Sequence, residues 1–63
     1  MELWIARDKD GCLSLYTGRP VRLEIRQFFS PEDCCYFDID ETMFPEVTWE
    51  NSPKKVRIEL IEE

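Results

Sequence analysis

LWIARDKDGCLSLYT, residues 3–17, is the stretch on which the fold turns. From Leu3 to Arg7 it is apolar on both faces, which predicts a central or doubly covered strand. Asp8-Lys9-Asp10-Gly11 then breaks the run. An aspartate side chain starts a turn, and glycine takes the positive φ that closes a hairpin. From Cys12 to Thr17 the chain returns with Leu13 and Leu15 alternating with Ser14 and Tyr16, the period-two pattern of a strand with one face inward.

The same alternation recurs on either side. Val21, Leu23 and Ile25 alternate with Arg22, Glu24 and Arg26; Phe37 and Ile39 with Tyr36, Asp38 and Asp40; Val56, Ile58 and Leu60 with Arg57, Glu59 and Ile61. Gly18-Arg19-Pro20 separates two of these runs. Ser30-Pro31-Glu32-Asp33 has the grammar of a helix start, with a capping hydroxyl, a proline and two acids, and leaves room for about one turn. No longer stretch carries a helical stripe.

Phe44 to Pro53, FPEVTWENSP, places a proline near each end of an extended segment. Any turn begun at Asp40 to Met43 stops before Pro45, because the residue preceding a proline is biased away from the α region. Val47 and Trp49, two apart, are expected to share a face, with Glu46, Thr48 and Glu50 opposite. Asn51-Ser52-Pro53 reads as a turn into a last strand, Lys54 to Ile61. With Phe44, Val47 and Trp49 predicted to close one open side of the sheet, the fold class is all-β, with at most one or two short helical turns. The architecture is a small antiparallel meander of four or five strands, a curled sheet forming a single domain over residues 1–63. The predicted core is Leu3, Ile5, Leu13, Leu15, Val21, Leu23, Ile39, Phe44, Val47, Trp49, Val56, Ile58 and Leu60. A sheet this small either curls over its own apolar face or pairs with a copy of itself, so monomer and homodimer are both expected states.

Composition restricts function more than it assigns one. The 63 residues are 43% hydrophobic, too apolar for intrinsic disorder. The net charge is −6, which argues against direct binding of nucleic acid through its phosphates. Between Gln27 and Pro53 lie seven acids (Glu32, Asp33, Asp38, Asp40, Glu41, Glu46 and Glu50) and no base. Cys12, Cys34 and Cys35 are an odd count, and adjacent cysteines bridge only in a strained ring. The opening MELWIARDKDG lacks a secretory signal, and Leu3 to Ala6 is too short to cross a membrane. A cytoplasmic protein with free thiols is the expectation.

Catalytic chemistry finds no foothold. Counted as an EF-hand from Asp8, a calcium loop would need an oxygen ligand at Cys12, a glycine at Leu13 and a glutamate at Arg19. Zinc requires four ligands of Cys or His type, against three cysteines and no histidine. A Cys34 nucleophile would sit beside Glu32 and Asp33, whose charge opposes its ionisation. Asp38-x-Asp40-Glu41 is at best a weak site for a hard cation. The residues therefore predict no enzyme and no cofactor.

LWIARD, Asp10-Gly11, RPVR and above all FPEVTWENSP resemble a group of short proteins of uncharacterised function from Bacteroides-type gut bacteria and their phages or mobile elements. The likeness covers about two thirds of the chain and is weakest from Gln27 to Cys35. It implies no activity, ligand or site residue. The reading of function is a non-catalytic protein-interaction module that presents an acidic surface to a protein partner, basic in character. Its candidate partner-binding residues are Asp38, Asp40, Glu41, Glu46, Trp49 and Glu50. The alternative is a phage-type inhibitor whose carboxylates imitate nucleic-acid phosphates and block a DNA-binding enzyme, which needs all seven acids on one continuous face. A weak metal binder or minimal enzyme is third.

Overall fold

A computed structural model describes residues 1–62. It contains six strands: β1 (Glu2–Arg7), β2 (Leu13–Tyr16), β3 (Val21–Leu23), β4 (Phe28–Ser30), β5 (Tyr36–Ile39) and β6 (Lys54–Arg57). Four form an open sheet in the order β5-β2-β1-β6, and β3 pairs with β4 in a separate two-stranded ribbon. Every pairing is antiparallel. The chain is thus all-β. Its order departs from a sequential meander, because the ribbon is inserted between β2 and β5 and a long loop carries the chain from one edge of the sheet to the other.

β1 is central, as its two-sided apolar character requires. It pairs with β2 through Trp4↔Tyr16 and Ile5↔Leu15, and with β6 through Leu3↔Val56 and Ile5↔Lys54. At the hairpin turn Gly11 adopts φ +103°, a conformation that glycine takes without steric cost. The Gly11 N–H donates to Asp8 O, and Asp8 N–H donates to Cys12 O.

The sheet is covered on both faces, where a single core was expected. On one face Ile5, Leu13 and Val47 are buried, with Leu15, Ile39 and Val56 packed against them. On the other, Ala6, Tyr16, Phe29 and Trp49 form a second cluster, joined by Trp4 and Cys34. Phe29 reaches this face from β4 and meets Trp49 edge-on at 5.4 Å. Ser14 and Tyr16, which the alternation had placed on a polar face, are buried, Tyr16 in one cluster with Phe29 of the ribbon and Trp49 of the long loop.

That loop explains the split. Val47 N–H donates to Phe44 O and Ser52 N–H to Thr48 O, so residues 44–52 turn twice instead of running extended. Val47 and Trp49 consequently do not share a face; each joins a different cluster. Asn51 holds the second turn together. Its Oδ1 accepts from Thr48 N–H at 2.8 Å and its Nδ2 donates to Glu46 O at 2.8 Å. The Ser52–Pro53 peptide is cis.

Other expectations need correction. The strand begun at Val21 stops at Leu23, where Gln27 N–H returns to Leu23 O, so Ile25 protrudes at 98% exposure. Val21 is exposed and Leu23 half-buried. Among the described residues there is no helix: Glu32 to Cys34 form a bend, and Cys35 is drawn towards β2 by bonds with Thr17. Strand β6 ends at Arg57 rather than Ile61. The Ile58 N–H still reaches Met1 O at 2.8 Å. Ile58 (45% exposed) and Leu60 (87%) therefore lie outside the core, as does Phe44 (40%).

Candidate protein-binding edge

Arg7, at the end of β1, organises the acidic half of the chain. Its Nε donates to Val47 O at 2.6 Å, its Nη1 to Gly11 O (2.7 Å) and Glu41 O (2.9 Å), and its Nη2 to Met43 O (3.0 Å) and Phe44 O (3.2 Å). All five N–H groups of the guanidinium are thereby used. The base-free segment is not short of positive charge inside: one arginine from the opposite end of the sequence binds its carbonyls. Phe44 is held at φ +49°, unusual for a bulky residue, with its carbonyl turned to Arg7 and to Val47 N–H. Ser52 Oγ accepts from the Arg7 backbone N–H at 3.0 Å, which ties the far end of the loop to the same residue.

With their backbone so held, the carboxylates of this segment face outward. Asp38, Asp40 and Glu41 line one shallow cleft of about 360 Å³ together with Cys12, Leu13 and Ile39. Asp38 Oδ1 accepts from Ser14 Oγ at 2.8 Å. Asp40 Oδ1 accepts from the N–H and the hydroxyl of Thr42, and the backbone bond holds its pKa below the ordinary carboxylate value. Asp8 and Asp10 come to the same end of the sheet from the hairpin turn. Asp10 is lowered chiefly by its bond from Cys12 N–H. Asp8 is raised, first by burial and then by the charges of Asp10 and Asp38, despite the bond it accepts from Phe29 N–H at 2.8 Å. The Cys12 thiol is also raised, by its contact with Asp10 and then by the surrounding negative charge. Such a thiol is a poor nucleophile at neutral pH.

The remaining sequence-predicted residues are dispersed. Glu46 and Glu50 are exposed on the long loop, one beside Val47 and the other beside Trp49, which pack on opposite faces. Trp49 is 8% exposed. Its ring lies under the Arg22 guanidinium at 4.0 Å, and Arg22 Nη1 donates to its carbonyl at 2.8 Å, so Trp49 is a core residue and not a contact surface. Arg22 Nε lies 2.8 Å from Glu24 Oε1, but off the N–H direction, and makes no hydrogen bond. Glu32 and Asp33 precede β5, at the end opposite Asp40 and Glu41.

Sequence reasoning missed Asp8 and Asp10 as members of the acidic end, since both read only as turn residues. It also missed the open edge of β5. Thr17 N–H donates to Cys35 O, so Cys35 points at β2, and by alternation Phe37 and Ile39 do too. The N–H and C=O groups of Tyr36 and Asp38 then point outward. Tyr36 and Phe37 are themselves half-exposed.

No protein-family description, curated protein or solved structure matches the chain. Among the described residues no group of three or more Cys, Asp or Glu side chains is arranged to hold a metal ion, and the three cysteines are unpaired. No helix among them is long and apolar enough to cross a membrane.

Proposed function

We propose that this chain is a non-catalytic binding module whose acidic sheet edge, β5, takes an extended basic segment of a protein partner. One observation carries the reading: β5 is an open edge in a base-free part of the chain, bordered by Glu32 and Asp33 before it and by Asp38, Asp40 and Glu41 at its far end. Main-chain bonds to Tyr36 and Asp38 would supply affinity, as in other strand-addition complexes. The carboxylates would steer the encounter and select against acidic partners. The resemblance to short proteins of gut Bacteroides and their mobile elements is part of the same proposal and adds no ligand to it.

The test is an amide-shift titration with an extended Lys/Arg-rich peptide at low salt and at about 0.5 M, where screening shortens to a few Å. Tyr36 and Asp38 amides shift, and affinity falls with salt. The D38N/D40N/E41Q variant, which keeps the side-chain oxygen that caps Thr42, weakens binding. Binding unchanged by salt, or shifts confined to other strands, would count against the proposal. The phosphate-mimic alternative has less support, because it needs seven acids on one face, and Glu32 and Asp33 lie at the end of β5 opposite Asp40 and Glu41.

A further inference from the structure

We infer that two copies of this chain join through their β6 edges, in an antiparallel register centred on Ile58, to make one continuous sheet. The partner is a second copy, and what identifies it is the self-complementary order of residues 54–62. Strand β6 is the edge opposite β5. Ile58 and Met1 exchange bonds in both directions, N–H to Met1 O at 2.8 Å and Met1 N to Ile58 O at 3.1 Å. Residues 54, 56 and 58 thus turn their backbone groups to β1. By the alternation of an antiparallel pair, Lys55, Arg57, Glu59 and Ile61 turn theirs outward, to a side where the sheet has no further strand.

Folding the sequence back on itself at Ile58 gives complementary partners at every rung but one, where Lys55 opposes Ile61. Arg57 opposes Glu59 of the second copy, Lys54 opposes Glu62, Val56 opposes Leu60, and Ile58 meets its own counterpart. The outward-facing backbone groups are those this register requires, with Arg57 and Glu59 as a hydrogen-bonded pair. Neighbouring registers fail on charge. Centring on Arg57 or on Glu59 sets like charges directly opposite, and centring on Val56 sets Lys55 against Arg57. Centring on Leu60 sets two isoleucines against glutamates, Ile58 against Glu62 and Ile61 against Glu59, where the Ile58 register has a single apolar–charged rung. Cross-strand pairs of opposite charge are stabilising and like charges destabilising, so one register is selected.

The join also gives a place to side chains that the single chain leaves bare. Leu60 is 87% exposed and Ile61 82%. Ile58 and Val56 line an apolar groove of about 420 Å³ with Leu15, Ile39, Met43 and Phe44. In the dimer Leu60 of the second copy lies opposite Val56, at the margin of that groove. The strand that ends at Arg57 is then extended across the join. The arrangement is isologous and closes as a two-fold dimer.

The experiment measures self-association by sedimentation, together with amide exchange. The wild-type chain is expected to dimerise, with Lys55, Arg57, Glu59 and Ile61 amides slowed on association. Glu59 lies outside every strand and its ion pair with Arg57 of the same chain, at 3.8 Å, is exposed, so Glu59→Arg leaves the fold intact; by setting arginine against arginine across the join it weakens association about tenfold or more. The R57E/E59R double variant restores it to within about threefold, a result that simple loss of folding cannot give. A wild-type chain that stays monomeric at its highest soluble concentration overturns the proposal. So does a dimer indifferent to E59R, or one whose slowed amides are those of Tyr36 and Asp38, the mark of a β5 join or of head-to-tail chains.

Discussion

At the residue scale, Arg7 and Tyr16 have the largest consequences. The Arg7 guanidinium offers a planar fork of donors, and five carbonyls from Gly11, Glu41, Met43, Phe44 and Val47 occupy it. Lysine keeps the charge but has three donors on a point-like head. With hydrogen bonds to charged groups worth about 1.5–3 kcal/mol each, and part of this cage open to solvent, Arg7→Lys is expected to cost about 2–4 kcal/mol. The urea midpoint reads this directly; a loss no larger than that of a surface charge would show that the cage is incidental. Tyr16 is buried, and burial pushes its phenol up to about 12 from 10. The fold therefore favours the protonated phenol. The associated stability is intact below pH 10 and is lost as pH rises through 12. Thermal melts between pH 9 and 11.5 should show a steep decline in the wild type and a shallower one in Tyr16→Phe.

At the element scale, the long loop and the ribbon each join to a different part of the sheet. Trp49 closes one face with Phe29 and Val47 closes the other with Ile5 and Leu13. Replacing a buried tryptophan by alanine costs about 3–5 kcal/mol. A chain of this length has a total stability of roughly 3–9 kcal/mol, so Trp49→Ala should populate the unfolded state at room temperature. Circular dichroism checks it; a cooperative melt near the wild-type midpoint would mean that the indole is dispensable. At the ribbon's turn, Gln27 is exposed with φ +63°. Relieving this left-handed residue is worth about 1 kcal/mol, so Gln27→Gly should raise the melting temperature by about 4–8 °C. The strands flanking the first turn were legible because Leu3, Ile5, Leu13 and Leu15 alternate or run apolar in the way strands require. The second face was not. It is built from a small residue (Ala6), a hydroxyl-bearing ring (Tyr16) and a phenylalanine in a stretch without period (Phe29), none of which marks an inward position. The split of Val47 from Trp49 was hidden because two turns, set by Asn51 and by the carbonyls Arg7 gathers, replace the extended run that spacing by two implies. Ile58 and Leu60 alternate correctly, but a strand also needs a neighbour, and that lies beyond one chain's sequence pattern. For the candidate edge, the acids of β5 were visible as charge, whereas Asp8 and Asp10 joined them only through the register of the hairpin.

At the scale of the whole molecule, the attachment of the ribbon is the weak joint. The sheet is held by β1, paired along both sides and covered on both faces. The β3–β4 ribbon contacts it through few groups: Phe29 in the second cluster, Arg22 over Trp49, Asp8 accepting from Phe29 N–H, and Lys9 N–H donating to Gln27 O. Its other side is open, with Ile25 in solvent. Local opening follows contact density, and segments with few buried apolar contacts open at lower free energy than the global transition. Native-state hydrogen exchange should therefore divide the chain in two. Amides of Leu3 to Ala6 exchange only with global unfolding, whereas those of Leu23 and Phe28 exchange earlier and with little dependence on denaturant. The Asp8 carboxylate refines the expectation, because its pKa is raised, chiefly by burial. A raised carboxylate is best tolerated protonated, so its contribution is greatest below the ordinary carboxylate range and declines as pH rises through its own value. Asp8→Asn keeps an oxygen for Phe29 N–H without the charge, and at neutral pH it should slow ribbon exchange relative to wild type. Equal protection of ribbon and β1, unaltered by Asp8→Asn, would mean that both sheets melt as a single unit and that the joint is as strong as the sheet it joins.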